Sequence, residues 1–471
     1  MMDEDRIGAL FAAQRQAAHA RRQTDGLRER RQRLKDLLGA LDRHEASLLA
    51  AMKADYAKPG AEARLWEILP VRLEIAHARA HLRRWMRPRR AWPSLATIGT
   101  QARVIPEPKG VALILAPWNF PVLLALGPLV SALAAGNSVI LKPSELTPAT
   151  SAALAAMLED AFPPDLVAVV QGGPDVAERL LDLAFDHVFF TGSTAVGRRV
   201  MERAARHPSP VTLELGGRSP AIVGPDADLA RAARWIAWGR FASTGQTCVA
   251  PDHVFVHASV EAALTQALVA EIARAYGDTP QTRAASPDYG RIVSPRHFSR
   301  IAGLLDEALA AGARVVTGGE RDVSVLYIAP TLIAGTSTEM RIRQEEIFGP
   351  VLPIIAYGDI ADPIAEINAG GRPLALYVFA RDQDFIERVR RETSSGGMGV
   401  NLSVIQFVHP NLPFGGVGAS GLGAGHGRTG FEAFSHLRPV LTNRLSLLPL
   451  VFPPYGRMAR LVSRVLGWMT R

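Results

Sequence analysis

The chain has 471 residues, a formal net charge of +8, 48% hydrophobic and 21% charged residues, and one cysteine. That length allows two or more domains with sizeable cores, and the balance of apolar and charged residues is that of a globular protein in water. A single cysteine excludes an intramolecular disulfide and a cysteine-rich metal site; with the acidic start MMDEDRIGAL, which lacks the order of a secretory signal, it points to the cytoplasm.

Residues 1–86 carry helical periodicity, as in Leu34, Leu37, Leu38 and Leu41, then Leu48, Leu49 and Met52. Within the basic cluster 28–35, Glu29 interleaves with arginines as on a solvated helix face, and Asp36 follows directly. No aromatic stacking pattern accompanies it, so nucleic acid is not an expected partner. Lysine occurs only at positions 35, 53, 58, 109 and 142, and arginine supplies the remaining positive charge, which singles out each lysine. Prolines between 88 and 93 end the helical layer, and residues 101–108 look extended.

Residues 111–136 hold no charge over 26 positions, long enough to span a membrane, yet Pro117, Asn119, Pro121 and Pro128 interrupt them. They divide into a buried strand VALILA, a turn PWNFP, a buried helix and the strand SVILK. The alternation continues through LVAVVQG, HVFFTGS and VTLEL with helices between, which predicts an open parallel sheet covered on both faces, the layout of a nucleotide-binding domain. A second α/β segment begins near Gly217 with strands HVFVH, VLPIIAY and LALYVFA, so the fold class is α/β, two domains facing across a cleft.

The literal G-x-G-x-x-G at 416–421 follows NLPFG rather than a strand and opens no helix, so it is a structural turn. TGSTAVG at 191–197 follows a strand and opens a helix, which suits an anion, although a plain strand-turn-helix is the alternative. Lys142 and Glu145 in LKPSE lie past the end of another strand of that sheet. Cys248, in the small polar bend STGQTCVAPD, is either a buried small hydrophobe or a nucleophile. Glu214 is an acid ending a strand beside two glycines, and Asn119 sits in a tight turn between prolines. Together these make a nucleophile, a base and an oxyanion donor.

APWNFP, LKPSE, FTGSTAVG, LELGG, GQTCVAPD, QEEIFGP and LPFGGVG resemble, in order and spacing, the NAD(P)-dependent aldehyde dehydrogenases, and RWIAWGRFASTGQTCVAPD with GFEAFSHLRPVL is most similar to their class 3 branch of fatty-aldehyde and coniferyl-aldehyde enzymes. The resemblance implies a Rossmann-like cofactor domain, a second α/β catalytic domain and a small oligomerisation segment. It also implies oxidation of a long-chain or aromatic aldehyde to the acid, with NAD or NADP. Cys248 would form the thiohemiacetal and thioester, Asn119 would hold the oxyanion, and Glu214 would activate the hydrolytic water. Lys142 and Glu145 would take the adenosine ribose, Ser193 the pyrophosphate, and Glu346 and Phe348 the nicotinamide end. Trp118, Gly192, Val196, Gly197 and Leu215 complete the expected cofactor contacts, and no metal is expected.

The implied division is 1–90 with 109–213 for the cofactor, 214–418 for catalysis, 91–108 and 419–445 for a homodimer, and an amphipathic tail at 446–471. In that tail Met458, Leu461, Val462, Val465, Leu466 and Met469 share a face; packing on the protein body is expected of it rather than contact with a membrane. Relatives usually carry tyrosine where Gly425 stands in GAGHG, which puts the substrate mouth in question. His409 and His426 read as structural. A CoA-acylating dehydrogenase is the alternative, disfavoured by Glu214; a catalytically retired binding protein is disfavoured by the presence of all three catalytic residues.

Overall fold

The computed structural model describes residues 4–94, 97–445, 449 and 452–469. Val111–Leu115 lies at the centre of the first sheet, parallel to Ser138–Lys142 on one side and His187–Gly192 on the other. Val167–Val169 extends the first side and Val211–Leu215 the second. The charge-free run therefore forms a strand and a helix, Leu123–Ala135, buried in protein. Alternate residues of the central strand serve opposite cores: Ala112 and Ile114 pack with the N-terminal helices, Leu113 and Leu115 with Ile7, Phe11, Val176 and Val200. A parallel strand covered on both faces needs apolar residues at every position, which is what VALIL supplies.

The second sheet runs Arg314–Thr317, Thr331–Ala334, Val351–Tyr357, His253–His257, Pro220–Val223, Ala375–Phe379, Gly397–Val400, parallel except for its first strand. A third, antiparallel sheet joins Arg89–Ala91, Thr100–Pro108 and Ser435–Asn443; the last two pair from Ser435 opposite Pro108 to Asn443 opposite Thr100.

Several local expectations change. The basic cluster is not wholly a solvated face: Arg30 is buried, held by Asp25, and donates to the carbonyls of Ala134 (3.4 Å) and Ala135 (2.8 Å). It thereby serves carbonyls that the end of helix Leu123–Ala135 leaves without partners. The stretch 416–421 does turn, and it delivers Gly421–Leu422 to the edge of the first sheet, where Gly421 faces Glu214. The tail forms a helix, Arg457–Met469, but it does not pack on the body as expected: Met458, Leu461, Val465 and Trp468 are exposed. The side chains of Leu466 and Met469, and residues 446–448, 450, 451, 470 and 471, lie outside the described residues. Among the described residues no helix is long and apolar enough to cross a membrane.

Candidate active site

In the first sheet the strand order reverses on either side of Val111–Leu115, between it and His187–Gly192, and ligands bind where such a reversal opens a crevice at the carboxyl ends. The two segments leaving that point are Pro117-Trp118-Asn119 and Gly192-Ser193. Both line a cleft of about 800 Å³ that also holds Glu214, Cys248, Glu346 and Phe348. A second cavity, about 700 Å³, is walled mainly by apolar side chains including Phe120, Leu123, Leu124, Phe407 and Phe414. Three residues line both spaces: Thr191, Glu214 and Cys248.

Cys248 follows three successive residues in the left-handed region, Ser243 (φ 53°), Thr244 (φ 57°) and Gly245 (φ 72°). Strain of this kind persists only where surroundings over-determine it. Here the Ser243 amide donates to Glu62 Oε2 at 2.9 Å, and a Cβ on Gly245 would lie 2.3 Å from the Gly349 carbonyl oxygen. The Gln246 side chain donates to the carbonyls of Ser243 (3.2 Å) and Arg291 (3.0 Å) and accepts from the Val293 amide (3.0 Å). The bend is a rigid mount for the thiol. Burial pushes the Cys248 thiol up to about 12, with the Glu346 and Glu214 carboxylates adding to it, so the group is protonated at neutral pH.

Asn119 is buried, and its Nδ2 donates to the Gln246 carbonyl at 3.0 Å, which ties its side chain to the loop that carries Cys248. Beneath it lies a fully buried ion pair, Lys58 Nζ to Glu67 Oε1 at 2.6 Å. Lys58 Nζ also reaches the Asn119 carbonyl (3.5 Å) and stands 3.9 Å from the Phe120 ring centre. Glu67 Oε2 accepts the amides of Val122 (2.9 Å) and Leu123 (3.1 Å), so it caps the helix that Asn119 precedes. Glu67 itself sits in a π-turn, Arg64–Ile68, a distortion that turns its side chain inward. We expect Glu67→Gln to destabilise the fold by about 3–5 kcal/mol, because the Lys58 charge loses its counter-charge in the interior. Urea denaturation reads this directly; an unchanged midpoint would mean that the pair is not what holds the Asn119 turn.

Glu214 is buried in Val211–Leu215, and neither carboxylate oxygen has a partner among the described residues. Burial raises its pKa well above the usual carboxylate range, with the Gly425 amide opposing. A carboxyl kept basic in this way is suited to taking a proton.

In the cleft, Trp118 contacts His297 (4.9 Å between ring centres) and Phe348 (5.4 Å, edge-on). Arg300 donates to the carbonyls of Glu346 (3.1 Å) and Ile347 (2.7 Å), and Asp252 Oδ1 accepts the Ile347 amide at 3.0 Å, fixing the EEIFGP turn. Burial and the neighbouring Asp252 push Glu346 up to about 8. A dinucleotide fits this setting. Helix Thr194–Ala204 opens on the cleft with Ser193 as its cap, presenting first-turn amides to an anion. Gly197 allows that helix to approach the strand, since a Cβ there would lie 2.5 Å from Leu215 Cδ2, and a Cβ on Gly216 would collide with Glu346. Of the expected cofactor residues, Trp118, Gly192, Ser193, Leu215, Glu346 and Phe348 line the cleft. Lys142, Glu145, Val196 and Gly197 do not. Lys142 and Glu145 form an ion pair (3.1 Å) past the end of the neighbouring strand, and Val196 is exposed on the helix's first turn.

The sequence profile of the aldehyde dehydrogenase family matches residues 1–440. The chain belongs to that family. It is 43% identical over 431 residues to aldehyde dehydrogenase family 3 member A2 of Mus musculus (91% of this chain, 87% of that one). It is 40% identical over 434 residues to the 4,4'-diaponeurosporen-aldehyde dehydrogenase of Staphylococcus aureus (92% and 93%). The solved substrate-bound state of Staphylococcus aureus AldH superposes with a TM-score of 0.93 at 37% identity, covering 98% of this chain and 99% of that one. PnpE in complex with nicotinamide adenine dinucleotide superposes with a TM-score of 0.85 at 25% identity, over 94% and 91%. The protein is thus a class 3-like, NAD(P)-dependent aldehyde dehydrogenase that oxidises an aldehyde to its acid.

In this aldehyde dehydrogenase Gly425 lies on the wall of the apolar cavity, where a Cβ would be 3.6 Å from Phe189 and 4.0 Å from Glu214 Oε1. The glycine is not sterically required; its effect is to leave volume beside the base. His426 lines the same cavity, with Nδ1 3.7 Å from Glu74 Oε2. Sequence reasoning missed Lys58, Glu67, Gln246, His297 and Arg300. The rarity of lysine marked Lys58, and Gln246 stood in the quoted motif; nothing local marked Glu67 or Arg300, whose partners lie 55 and 46 residues away.

Proposed function

We propose that Cys248, its thiol proton passing to water, adds as the thiolate Sγ to the aldehyde carbonyl carbon inside the apolar cavity, and that the side-chain amide of Asn119 with the Cys248 backbone N–H receives the resulting oxyanion. Held in the cleft by Trp118, Ser193, Glu346 and Phe348, NAD(P) would supply the hydride acceptor, and the acyl group is left on Cys248 as a thioester. Glu214 takes a proton from water as that water attacks the thioester, releasing acid and restoring the thiol. The observation that carries this reading is that Cys248 and Glu214 line the apolar cavity and the cleft of Trp118, Ser193, Glu346 and Phe348 at once. One assay tests it: formation of reduced cofactor from long-chain and aromatic aldehydes, with and without CoA. Turnover without CoA is expected, and strict CoA dependence would overturn the reading.

NAD is the expected partner over NADP if Glu145, paired with Lys142 beyond the cleft, takes the adenosine ribose, since a carboxylate accepts from a free 2′-hydroxyl and repels a 2′-phosphate; the ratio of kcat/KM for the two cofactors measures this. The roles of the domains follow the division 1–90 with 109–213 for cofactor and 214–418 for catalysis. The exposed edge strand Ser435–Asn443, with Leu437 and Leu441 outward, supports pairing of two copies through residues 91–108 and 419–445; light scattering at the monomer mass would refute it. The lone cysteine supports a cytoplasmic protein, and the exposed, basic, apolar-faced tail suits an anionic lipid surface. Cell fractionation of the full chain and of one lacking residues 457–471 reads both: a membrane-bound fraction lost on truncation supports the contact, and its absence from the full chain removes it.

A further inference from the structure

Beside the apolar cavity lies a smaller chamber of about 320 Å³ that shares Phe120, Thr247 and Phe407 with it. Its outer wall is aromatic: Trp66 and Trp238 stand 4.9 Å apart between ring centres. Besides Thr247, two polar side chains line the chamber, Glu62 and Ser243. Glu62 Oε2 is taken by the Ser243 amide at 2.9 Å. The other carboxylate oxygen, Oε1, and the Ser243 hydroxyl are both buried, and neither has a partner among the described residues. An acceptor and a hydroxyl left unpaired in an aromatic wall cost about 1–3 kcal/mol each, so a chamber meant for a wholly apolar group would be better lined without them.

We infer that this side chamber receives the far end of an aldehyde that carries a neutral hydroxyl group there, the hydroxyl donating to Glu62 Oε1 and accepting from Ser243 Oγ. The nearby Lys58 ammonium is already matched by Glu67, and burial raises Glu62 above the usual carboxylate range, so a neutral hydroxyl suits the chamber better than a cation. A purely apolar end leaves both polar groups unpaired. The Trp66, Trp238, Phe120 and Phe407 rings supply the packing for a ring or an alkyl chain on the way to the hydroxyl. The inference rests on the aldehyde oxidation proposed above and adds the substrate's second recognition element, remote from the carbonyl.

The experiment compares matched aldehydes of equal size, para-hydroxymethylbenzaldehyde against para-ethylbenzaldehyde and omega-hydroxyalkanals against n-alkanals. Wild type is expected to prefer the hydroxyl member by about tenfold in kcat/KM, the worth of one buried hydrogen bond. Glu62→Ala and Ser243→Ala are each expected to bring the ratio toward parity. Because Glu62 also holds the Ser243 amide, Ser243→Ala is the variant that leaves that bond intact. Equal turnover of both members by wild type, or a preference that survives both substitutions, overturns the inference while leaving aldehyde oxidation standing. If no aldehyde is turned over, the parent reading falls instead. Calorimetric binding of each pair to Cys248→Ala, which needs no turnover, then still decides whether the hydroxyl is recognised.

Discussion

Cys248→Ala is expected to lower kcat/KM on the order of 10⁴-fold or more while leaving the fold intact, because no other group in the chain can form the acyl intermediate. The side chain is only partly enclosed, and its loop is held by contacts that do not involve sulfur: the Gln246 side chain, the Asn119 amide and Ser219 Oγ, which donates to the Cys248 carbonyl at 3.5 Å. Circular dichroism and the melting midpoint should therefore match wild type. As the sole cysteine, Cys248 also reports its own ionisation. The thiolate is the reactive form, and burial pushes the thiol up to about 12, so alkylation of the cofactor-free enzyme should be slow at neutral pH and should quicken about tenfold per pH unit below that value. Alkylation at neutral pH as fast as that of a free thiol in water would contradict this arrangement. Residual turnover near wild type in Cys248→Ala would remove the cysteine from the chemistry.

Glu214→Gln is expected to separate the two halves of the reaction. The amide preserves the shape of the carboxyl but cannot take a proton, so acylation should proceed and hydrolysis stall: a first burst of reduced cofactor near one equivalent per site, then steady turnover reduced about 10² to 10⁴-fold. The sign of the pH dependence follows from the same group. The folded-state pKa of Glu214 is raised by burial, so the carboxylate fraction, and with it hydrolysis in wild type, should increase as pH rises through that value. Thiolate formation at Cys248 rises in the same direction. Glu214→Gln distinguishes them: the burst keeps its pH dependence through Cys248, while the slow phase loses the limb owed to the carboxylate. Steady turnover at the wild-type rate in that variant would refute the role of base. Burial of Glu214 without a partner costs stability, so a small rise in the melting midpoint of Glu214→Gln is also expected.

The five parallel strands of the first sheet and, in the second, HVFVH, VLPIIAY and LALYVFA could be read from the chain because strands buried on both faces are apolar along most of their length, as VALIL, SVILK and HVFF show without reference to anything distant; Arg314–Thr317, Pro220–Val223, Thr331–Ala334 and Gly397–Val400 were not read, since four residues carry too short a pattern. Cys248, Glu214 and Asn119 were legible for the opposite reason: each is a polar or reactive group where local pattern calls for something else. The tail was misjudged because its amphipathic spacing in Arg457–Met469 predicts a helix with one apolar face but not what covers that face, and no described part of the body does. The basic cluster was misjudged at Arg30, whose partners are the carbonyls of Ala134 and Ala135, more than a hundred residues away.

By itself the sequence determined most of the order of strands and helices, the start of a helix at Ser193 directly behind a strand, and the three residues, Cys248, Glu214 and Asn119, to which we assign the chemistry, since those depend on residue type and near neighbours. Only the tertiary structure decided that Cys248 and Glu214 stand in the wall between the apolar cavity and the cleft that Asn119 also lines, that Lys58 and Glu67 hold the Asn119 turn from below, and that Gly425 leaves space beside Glu214. Those facts depend on groups brought together from separate elements, Glu67 reaching the Val122 amide 55 residues on, where the interior admits a charge only opposite its partner and a carboxyl only at the cost of its ionisation.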